Sequence, residues 1–265
     1  MDLAIEQLYD RYKVMSQLKA KDIPFVSKWY QDGNLQDNDC IEPMIKNGSL
    51  SMGFLGLAEC LKVLTKEHHG ESKEAQKIGL NIIEFMRSKT DEATVKYGLN
   101  FSLFASPAES ACHTLLKLAK ARFGVIEGVT DKEYFTNSFH LPVDFTCDIQ
   151  QKIDIEAPYH LFCNAGAIMY LEAGSSPKFN LQGAEEVIRY MAKSGAVYGG
   201  INWAHSFCTD CHYQESFDTI CPKCGSDNIK ETRIITGYLS TINKFNPGKV
   251  AELKARVSHG GGPIA

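Results

Sequence analysis

Two pairs of cysteines near the C-terminus have the spacing of a metal site. Nine residues separate two C-x-x-C pairs, which are formed by Cys208, Cys211, Cys221 and Cys224. Four thiolates at this range can complete the tetrahedral shell of one Zn²⁺, and an all-cysteine shell is closed, as structural zinc sites are. Gly225 follows the second pair, where a residue that tolerates positive φ helps the chain reverse. The pattern predicts a structural zinc ribbon, with disulfides or unpaired thiols as the alternatives.

A zinc ribbon alone does not identify the function, because many docking modules for nucleic acid or protein also contain one. The chain beyond these cysteines narrows the possible functions. Arg233-Ile-Ile-Thr-Gly237-Tyr238 resembles the glycyl radical motif. The whole tail, residues 199–259, is similar to the C-terminus of the anaerobic (class III) ribonucleoside-triphosphate reductases. This resemblance covers most of the chain, from its first predicted helix to residue 259.

The resemblance implies that Gly237 stores a radical. Glycine suits this role because it has no Cβ to clash when its Cα becomes planar, and the unpaired electron is then delocalised over the two flanking amides. A separate radical-SAM activase, which carries an iron–sulfur cluster, would generate the radical with S-adenosylmethionine. Taken alone, a Gly-Tyr pair favours an ordinary turn glycine. The preceding ribbon and the rest of the tail favour the radical.

The resemblance also implies a reaction and its participants. The radical passes from Gly237 to a cysteine, whose thiyl form removes the 3′ hydrogen of a ribonucleoside triphosphate. Water leaves from C2′, and formate or a small dithiol protein supplies the electrons. The product is a deoxyribonucleoside triphosphate for DNA synthesis, and the full enzyme is expected to be a homodimer that also binds a nucleotide effector. The zinc is structural, and its ribbon is expected to hold the radical segment and to face the activase.

One part of the family pattern is expected to lie outside this sequence. The family's full-length protein continues N-terminally with an allosteric nucleotide-binding region, the other half of its barrel and the cysteine that becomes the thiyl radical. Cys40 is the nearest candidate here, but its neighbours do not match that cysteine's loop. We therefore expect a C-terminal portion of the enzyme that lacks reductase activity by itself. Ser240, where many glycyl radical segments have another glycine, is a smaller departure.

A second candidate site lies between a predicted strand and a predicted helix, in the run Ser-Pro-Ala-Glu-Ser. Pro107 suits a first-turn position, and Glu109, three residues after Ser106, predicts a capping box, so the run has a purely structural explanation. However, N–H groups at a helix N-terminus also bind anions. The run resembles the segment that holds substrate phosphates in ribonucleotide reductases. On that resemblance, the expected triphosphate-binding residues are Ser106, Pro107, Ala108, Glu109 and Ser110.

Polar residues at 136–142 form a third candidate. Asn137, Ser138 and His140 stand beside a predicted strand end at Pro142, so they could line a pocket. A polar turn explains them equally well. Nothing in the sequence supports His140 as a catalytic base.

Composition excludes several classes of protein. The 265 residues, 44% of them hydrophobic, suffice for one large domain or two smaller ones. A net charge of −4 and a pI of about 6.1 argue against a dedicated nucleic-acid binder. No stretch approaches the roughly 18 apolar residues of a membrane span, and the acidic N-terminus has no apolar signal core. A cytoplasmic location is therefore expected by default.

Nine cysteines is a high count for this length. The five outside the ribbon show no paired spacing, which suits a reducing compartment rather than a disulfide framework. We expect each to be a small buried apolar side chain. They are Cys40, Cys60, Cys112, Cys147 and Cys163.

Hydrophobic periodicity predicts the elements that position these groups. Helices are predicted at residues 3–19, 57–66, 72–89, 90–97, 106–123 and 182–194. Strands are predicted within residues 48–56, 99–105, 160–172 and 196–203. The second helix should bury Leu57, Leu61 and Leu64, and the last should bury Val187, Ile188 and Met191.

Alternation of strand and helix between residues 50 and 200 predicts an α/β fold with parallel strands. The resemblance implies more: about half of a ten-stranded α/β barrel of the glycyl radical enzyme type, with the radical loop threaded into it. Residues 1–200 would then form the partial, substrate-binding barrel. Residues 201–265 would form the zinc ribbon and glycyl radical domain.

Three other functions compete with this interpretation. Another glycyl radical enzyme, of the formate-lyase type, is disfavoured because those enzymes normally lack the ribbon. A non-catalytic zinc-ribbon binding module would show salt-dependent DNA affinity, which the acidic composition does not favour. The third is a remnant that repairs radical-damaged reductase by supplying a fresh glycine segment.

Overall fold

The computed structural model describes residues 1–24, 35–217, 219–234 and 239–259, without the side chain of Glu109. The chain forms two compact units. The smaller unit comprises residues 1–52, 82–104 and 162–165, and the larger unit comprises residues 53–81, 105–161 and 166 onward. The domain boundary at residue 200 stays a prediction.

Helices and strands alternate through most of the chain. The described helices are α1 (Asp2–Ser16), α2 (Glu42–Ile45), α3 (Leu57–Thr65), α4 (Lys73–Tyr97), α5 (Glu109–Phe123), α6 (Ile149–His160), α7 (Leu181–Lys193) and α8 (Pro247–Ala255). The described strands are β1 (Ser49–Phe54), β2 (Asn100–Ala105), β3 (Met169–Glu172), β4 (Gly199–Asn202), β5 (His205–Cys208), β6 (Gln214–Glu215), β7 (Ile229–Ile234) and β8 (Leu239–Thr241). Short 3₁₀ turns lie at Ala20–Asp22, Pro177–Phe179 and Ile242–Lys244.

The smaller unit has its own apolar core. Strands β1 and β2 form a two-stranded sheet, and the side chains that pack together there are Ile5, Met52, Ala93, Leu99 and Phe101. The rings of Tyr9 and Tyr97 stack with centroids 4.2 Å apart. These contacts bury one face of α1, which ends at Ser16, slightly earlier than predicted.

A parallel strand pair forms the centre of the larger unit. Strands β3 and β4 pair in register from Met169 opposite Gly199 to Glu172 opposite Asn202. The apolar side chains beneath this pair come from β3, α6 and α7 and are Ile153, Ala157, Met169, Leu171 and Met191. The parallel arrangement that the alternation predicted is therefore present here, and both strands end at polar residues.

The C-terminal part of the larger unit contains an antiparallel sheet, which we call the ribbon sheet. Its strand order is β6-β5-β7-β8. Strand β5 pairs with β7 from His205 opposite Thr232 to Cys208 opposite Ile229. Strand β7 in turn pairs with β8, and Ile234 lies opposite Leu239.

Several predicted helices differ from the observed ones. The two helices predicted at 72–89 and 90–97 are a single helix, α4, because Thr90 does not break it and instead bonds within it, through Oγ1 to the Arg87 carbonyl oxygen at 2.7 Å. Leu57 and Leu61 of α3 are buried as predicted, but Leu64 is 61% exposed. In α7, Met191 is buried, whereas Ile188 is exposed.

Helix α6 was not predicted at all. Its buried face mixes apolar residues, among them Ile153 and Ala157, with Lys152, Glu156 and His160, each at most 6% exposed, so its apolar stripe is weak. A sequence signal was nevertheless present. Asp148 caps the helix by accepting from the Gln151 N–H at 2.7 Å, and the Gln151 side chain accepts from the Asp148 N–H, which completes a capping box.

Among the described residues, the five cysteines outside the four-cysteine group form no disulfide. Cys112, Cys147 and Cys163 are buried, as predicted, and burial raises the pKa of the Cys112 thiol to about 12. Cys60 is exposed and Cys40 is half-buried, so the prediction was wrong for these two. In the part of the chain that the structure describes, no helix is both long and apolar enough to traverse a lipid bilayer.

Two histidines are buried in an aromatic cluster of the larger unit. The rings of Phe139 and Tyr159 stack with centroids 5.3 Å apart, and His69 and His160 contact this pair. The His69 Nε2 lies 2.8 Å from the Phe139 carbonyl oxygen and must donate to it, because a carbonyl oxygen only accepts. Burial lowers the pKa of His69 and that of His160 to about 4 each.

We expect these two histidines to make the protein less stable as the pH falls from 6.5 towards 4. A histidine in the unfolded chain titrates near pH 6.5, so the unfolded state binds more protons in this window, and each histidine costs up to about 1.4 kcal/mol per pH unit. Urea unfolding at a series of pH values measures the slope. His69→Gln, which keeps a donor for Phe139, should reduce the slope. An unchanged slope in this variant would contradict the assignment.

Candidate functional site

The two cysteine pairs lie in two loops of the same local geometry. Each loop closes with a hydrogen bond from the N–H of the fourth residue after the first cysteine to that cysteine's carbonyl oxygen. The bonds are 3.0 Å from His212 to Cys208 and 2.9 Å from Gly225 to Cys221. Both fourth residues have positive φ, +59° and +74°. The reversal predicted at Gly225 is confirmed, and His212 adopts the same conformation without being glycine.

The four cysteine sulfurs converge. All four Sγ atoms lie within 4.8 Å of one another. The separations Cys208–Cys224 and Cys211–Cys221 are both 3.6 Å. A tetrahedral zinc with Zn–S bonds of about 2.3 Å has S–S edges of about 3.8 Å, whereas a disulfide bond is about 2.05 Å long. The cluster therefore fits one metal ion such as zinc, and it does not fit two disulfides.

The ionisation of the thiols also fits a cation. Hydrogen bonds from the backbone N–H groups of Cys211 and Asp210 lower the pKa of Cys208 to about 7. A backbone hydrogen bond from Ser226 lowers the pKa of Cys224, but the neighbouring sulfurs, Cys211 first, outweigh it and raise that pKa to about 12. One thiol therefore ionises easily, and its negative charge opposes the ionisation of the neighbouring thiols. A dication at the centre of the cluster would offset this repulsion between thiolates.

Polar side chains tie the two loops together. The Asp210 carboxylate in the first loop accepts hydrogen bonds from the Ser226 hydroxyl and, at 2.9 Å, from the Asn228 amide in the second. These bonds lower the pKa of Asp210, Ser226 first and Asn228 second. These hydrogen bonds thus hold the two loops together in addition to the convergence of their cysteine sulfurs.

Gly237, the predicted radical residue, lies outside the described residues. The strands on either side of it are described, and they are paired: β7 ends at Ile234, opposite the first residue of β8, Leu239. At its other end β7 pairs with β5, where Ile229 lies opposite Cys208. The ribbon sheet therefore connects the cysteine cluster directly to the strand that leads to Gly237.

A buried polar cluster, which sequence reasoning missed, lies at the end of that strand. It consists of Glu172, Asn202, Glu252 and Arg256, each between 4% and 6% exposed, and we call it the Glu172 cluster. Burial lowers the pKa of Arg256, but Glu172 and Glu252 outweigh burial and raise it overall, so the guanidinium stays charged. A weak signal was available, since Glu172 and Asn202 lie at the ends of predicted strands and the similar tail includes Arg256.

The helix predicted to start at Ser106 starts three residues later. Helix α5 begins at Glu109, its N-cap is Ala108, and no side chain of the cap residue bonds to the first turn, so the predicted capping box was wrong. The reason is a competing partner: the Ala108 N–H donates to the Asn137 Oδ1 at 2.8 Å. Ser106, Pro107 and Ala108 are half-buried at this end of α5, and Ser110 is exposed.

Residues 136–142 form a loop with one isolated bridge, between Leu55 and Asn137, instead of a strand. Asn137 and His140 line a cavity of the larger unit, as the pocket hypothesis predicted, together with Glu172, Glu252 and Arg256 of the Glu172 cluster. Ser138 is buried, with φ +42°. The His140 Nδ1 lies 3.2 Å from Glu156, a carboxylate whose pKa is lowered because Lys152 and His140 outweigh its burial.

Comparison with known proteins decides the family. The family model described as anaerobic ribonucleoside-triphosphate reductase matches residues 1–259. The chain belongs to this family. The anaerobic ribonucleoside-triphosphate reductase of Salmonella typhimurium is 35% identical over an alignment of 282 residues, which covers 99% of this chain and 39% of that protein. The Escherichia coli reductase shows the same identity and coverage.

A solved structure confirms the predicted fold class. The anaerobic ribonucleotide reductase from Thermotoga maritima, crystallised with glycerol in its active site, matches with a TM-score of 0.74 and 21% identity. The match covers 95% of this chain and 39% of that one. The chain therefore has the mixed α/β fold of this family and spans about two fifths of the length of its relatives.

We expect the four-cysteine cluster to hold about one zinc per chain, because its four sulfurs fit one tetrahedral ion. Cys211→Ser should lower the zinc content and the melting temperature, since a structural metal contributes directly to folding. Elemental analysis and thermal unfolding, each with and without a chelator, measure both effects. Cys60→Ser, which changes an exposed cysteine outside the cluster, is the matched control. Equal zinc content in the two variants would contradict the assignment.

Proposed function

We propose that this chain is the glycyl-radical-bearing C-terminal part of an anaerobic ribonucleoside-triphosphate reductase. The complete enzyme would reduce ribonucleoside triphosphates to deoxyribonucleoside triphosphates for DNA synthesis. Membership of the family supports the proposal. The observation that carries it is structural: the four-cysteine cluster and the strand that leads to Gly237 belong to one antiparallel sheet.

In this proposal zinc bound by Cys208, Cys211, Cys221 and Cys224 is structural. Four thiolates would fill its shell and leave no position for substrate. What the cluster can do is hold β5 against β7, because Cys208 is the last residue of β5 and lies opposite the first residue of β7. Residues 201–265 would thus form a ribbon and radical domain, with residues 1–200 as the partial barrel.

Gly237 would be the residue that loses a hydrogen atom. A radical-SAM activase removes one hydrogen, proton and electron together, from its Cα, and the remaining unpaired electron spreads over the adjacent amides. The paired strands β7 and β8 support this role, since they hold both ends of the four-residue connection that contains Gly237. The outer surface of the ribbon sheet is where we place the activase.

Turnover would require more than these residues. The radical on Gly237 would be exchanged for a hydrogen atom of a cysteine in the portion of the relatives that this chain does not span. That thiyl radical would remove the 3′ hydrogen of the ribose, water would leave from C2′, and formate or a dithiol protein would supply two electrons. Residues 1–265 are therefore expected to show no reductase activity by themselves, and to act in a cytoplasmic homodimer of the complete enzyme.

The N-terminus of α5 is the proposed place for the substrate phosphates. N–H groups in the first turn of a helix have no acceptor within the helix and attract anions. Glu109 and Ser110 of the Ser106–Ser110 run begin that turn, and just before it the Ala108 N–H donates to Asn137. Binding of a triphosphate here is supported by the family membership and by this geometry.

Electron paramagnetic resonance tests the central assignment. The chain is incubated anaerobically with its activase, S-adenosylmethionine and a reductant, and the spectrum is recorded near g = 2, roughly the free-electron value. We expect a doublet from wild type and none from Gly237→Ala, because alanine adds a Cβ that opposes a planar Cα.

A matched glycine provides the control for this experiment. Gly200→Ala adds the same methyl group in β4, where its nearest neighbour would be Tyr170 Cδ1 at 3.9 Å, an ordinary contact. This variant should keep the doublet. A wild-type protein that is folded and holds zinc but gives no doublet would count against radical storage at Gly237.

A further inference from the structure

The carbonyl oxygen of Ile234, the last residue of β7, receives two hydrogen bonds from side chains. The Asn202 amide donates to it at 3.0 Å, and the Arg256 Nη1 also donates at 3.0 Å. A carbonyl oxygen has two lone pairs, so both can be used here. Backbone carbonyls near strand ends are usually satisfied by backbone or water, and two buried side-chain donors on one oxygen are a specific arrangement.

One carboxylate organises both donors. The Glu172 Oε2 accepts from the same Asn202 amide nitrogen at 2.8 Å, and the Glu172 Oε1 accepts from the same Arg256 Nη1 at 2.6 Å. Each donor nitrogen therefore bridges Glu172 and Ile234. Charge-assisted bonds of this kind are shorter and stronger than neutral ones.

The backbone fixes Glu172 and Asn202 relative to each other. They are register partners at the carboxyl ends of β3 and β4. The Glu172 N–H donates to the His259 Nδ1 at 2.8 Å, and the His259 N–H donates to the Glu172 carbonyl oxygen at 2.9 Å. The carboxylate is thus placed by two strands and by the chain beyond α8.

Glu252 has a different position in the cluster. It accepts from the Arg256 Nη2 at 2.8 Å, one helical turn away on α8. This bond orients the guanidinium but does not reach Ile234. The cluster thus contains two buried carboxylates on one arginine, of which Glu172 alone also holds the second donor, Asn202.

We propose that Glu172 is a positioning residue for Gly237: through Asn202 and Arg256 it fixes the Ile234 carbonyl and hence the backbone that enters the radical segment. This role rests on the proposed function, because it assigns a purpose to the segment that follows Ile234. Its physical basis is independent, since the hydrogen bonds to the Ile234 carbonyl are formed among described residues.

Hydrogen exchange measures this effect without the radical. The side-chain amide in Glu172→Gln has one acceptor oxygen, whereas the carboxylate has two. One of the two donors, Asn202 or Arg256, would therefore face an N–H group instead of an acceptor. Asn202→Ala removes one donor and leaves the charges unchanged. Peptides that span β7 and β8 should exchange about tenfold faster or more in both variants, since each lost buried bond lowers the local opening free energy.

Glu252→Gln is the matched control. It also removes one buried carboxylate from Arg256, but both donors to Ile234 stay paired with Glu172. Zinc content in each variant reports whether the ribbon is folded. Faster exchange in β7 and β8 for Glu172→Gln and Asn202→Ala but not for Glu252→Gln supports the positioning role. Equal changes in all three variants, or no change in any, would overturn it. If Glu172→Gln does not fold, the comparison of Asn202→Ala with Glu252→Gln still tests the positioning role.

The radical gives a second readout. In protein that shows the doublet, Glu172→Gln and Asn202→Ala should lower its yield or shorten its lifetime several-fold relative to Glu252→Gln, while Gly237→Ala abolishes it. A wild-type protein without a doublet counts against the proposed function, and the exchange experiment then decides the contact with Ile234 separately. Normal yield and lifetime in both test variants would overturn the positioning role.

Discussion

Strand β7 is held at both ends, and most of the C-terminal structure depends on this. At its start it pairs with β5, where Cys208 lies opposite Ile229. At its end the Ile234 carbonyl is bonded by Asn202 and Arg256, and Ile234 lies opposite Leu239. A strand restrained in this way cannot shift its register without breaking either the cysteine cluster or the buried ion pair. Both ends therefore determine where the chain that follows begins.

Buried charges of this kind are seldom the most effective way to stabilise a protein. The desolvation of two carboxylates and one guanidinium opposes much of their mutual attraction, and apolar residues of similar volume often serve stability as well or better. The geometry of the Glu172 cluster offers a reason for its presence. An arginine and an asparagine present directed donors, whereas an apolar contact has no preferred direction. Such a cluster suits a place where the direction of a backbone carbonyl matters.

Local patterns in the sequence carried much of the information about the site. The spacing of the four cysteines predicted a cluster that the structure assembles, and the alternation of elements predicted the parallel strands β3 and β4. These features could be predicted because the residues that determine them are close in sequence. The family resemblance, which rests on longer stretches, is confirmed by the comparisons.

Features that depend on residues far apart in the sequence could not be predicted from local patterns. Glu172 and Arg256 are 84 positions apart, and only the fold brings them together. Asn137 reaches the Ala108 N–H from 29 positions away and so shifts the start of α5. Helix α6 was missed because buried polar residues, Lys152, Glu156 and His160, lie beside the apolar ones on its inner face and weaken the apolar periodicity on which the prediction relied.

The left-handed conformation of His212 makes the two cysteine loops unequal. Glycine adopts this conformation with little penalty, but a residue with a Cβ loses roughly 1 kcal/mol there. The loop that ends at Gly225 therefore closes with little backbone strain, whereas the loop that ends at His212 closes against this penalty, which bonds from its sulfurs to a metal ion would offset. A bound ion would thus contribute more to the stability of the first loop than to that of the second.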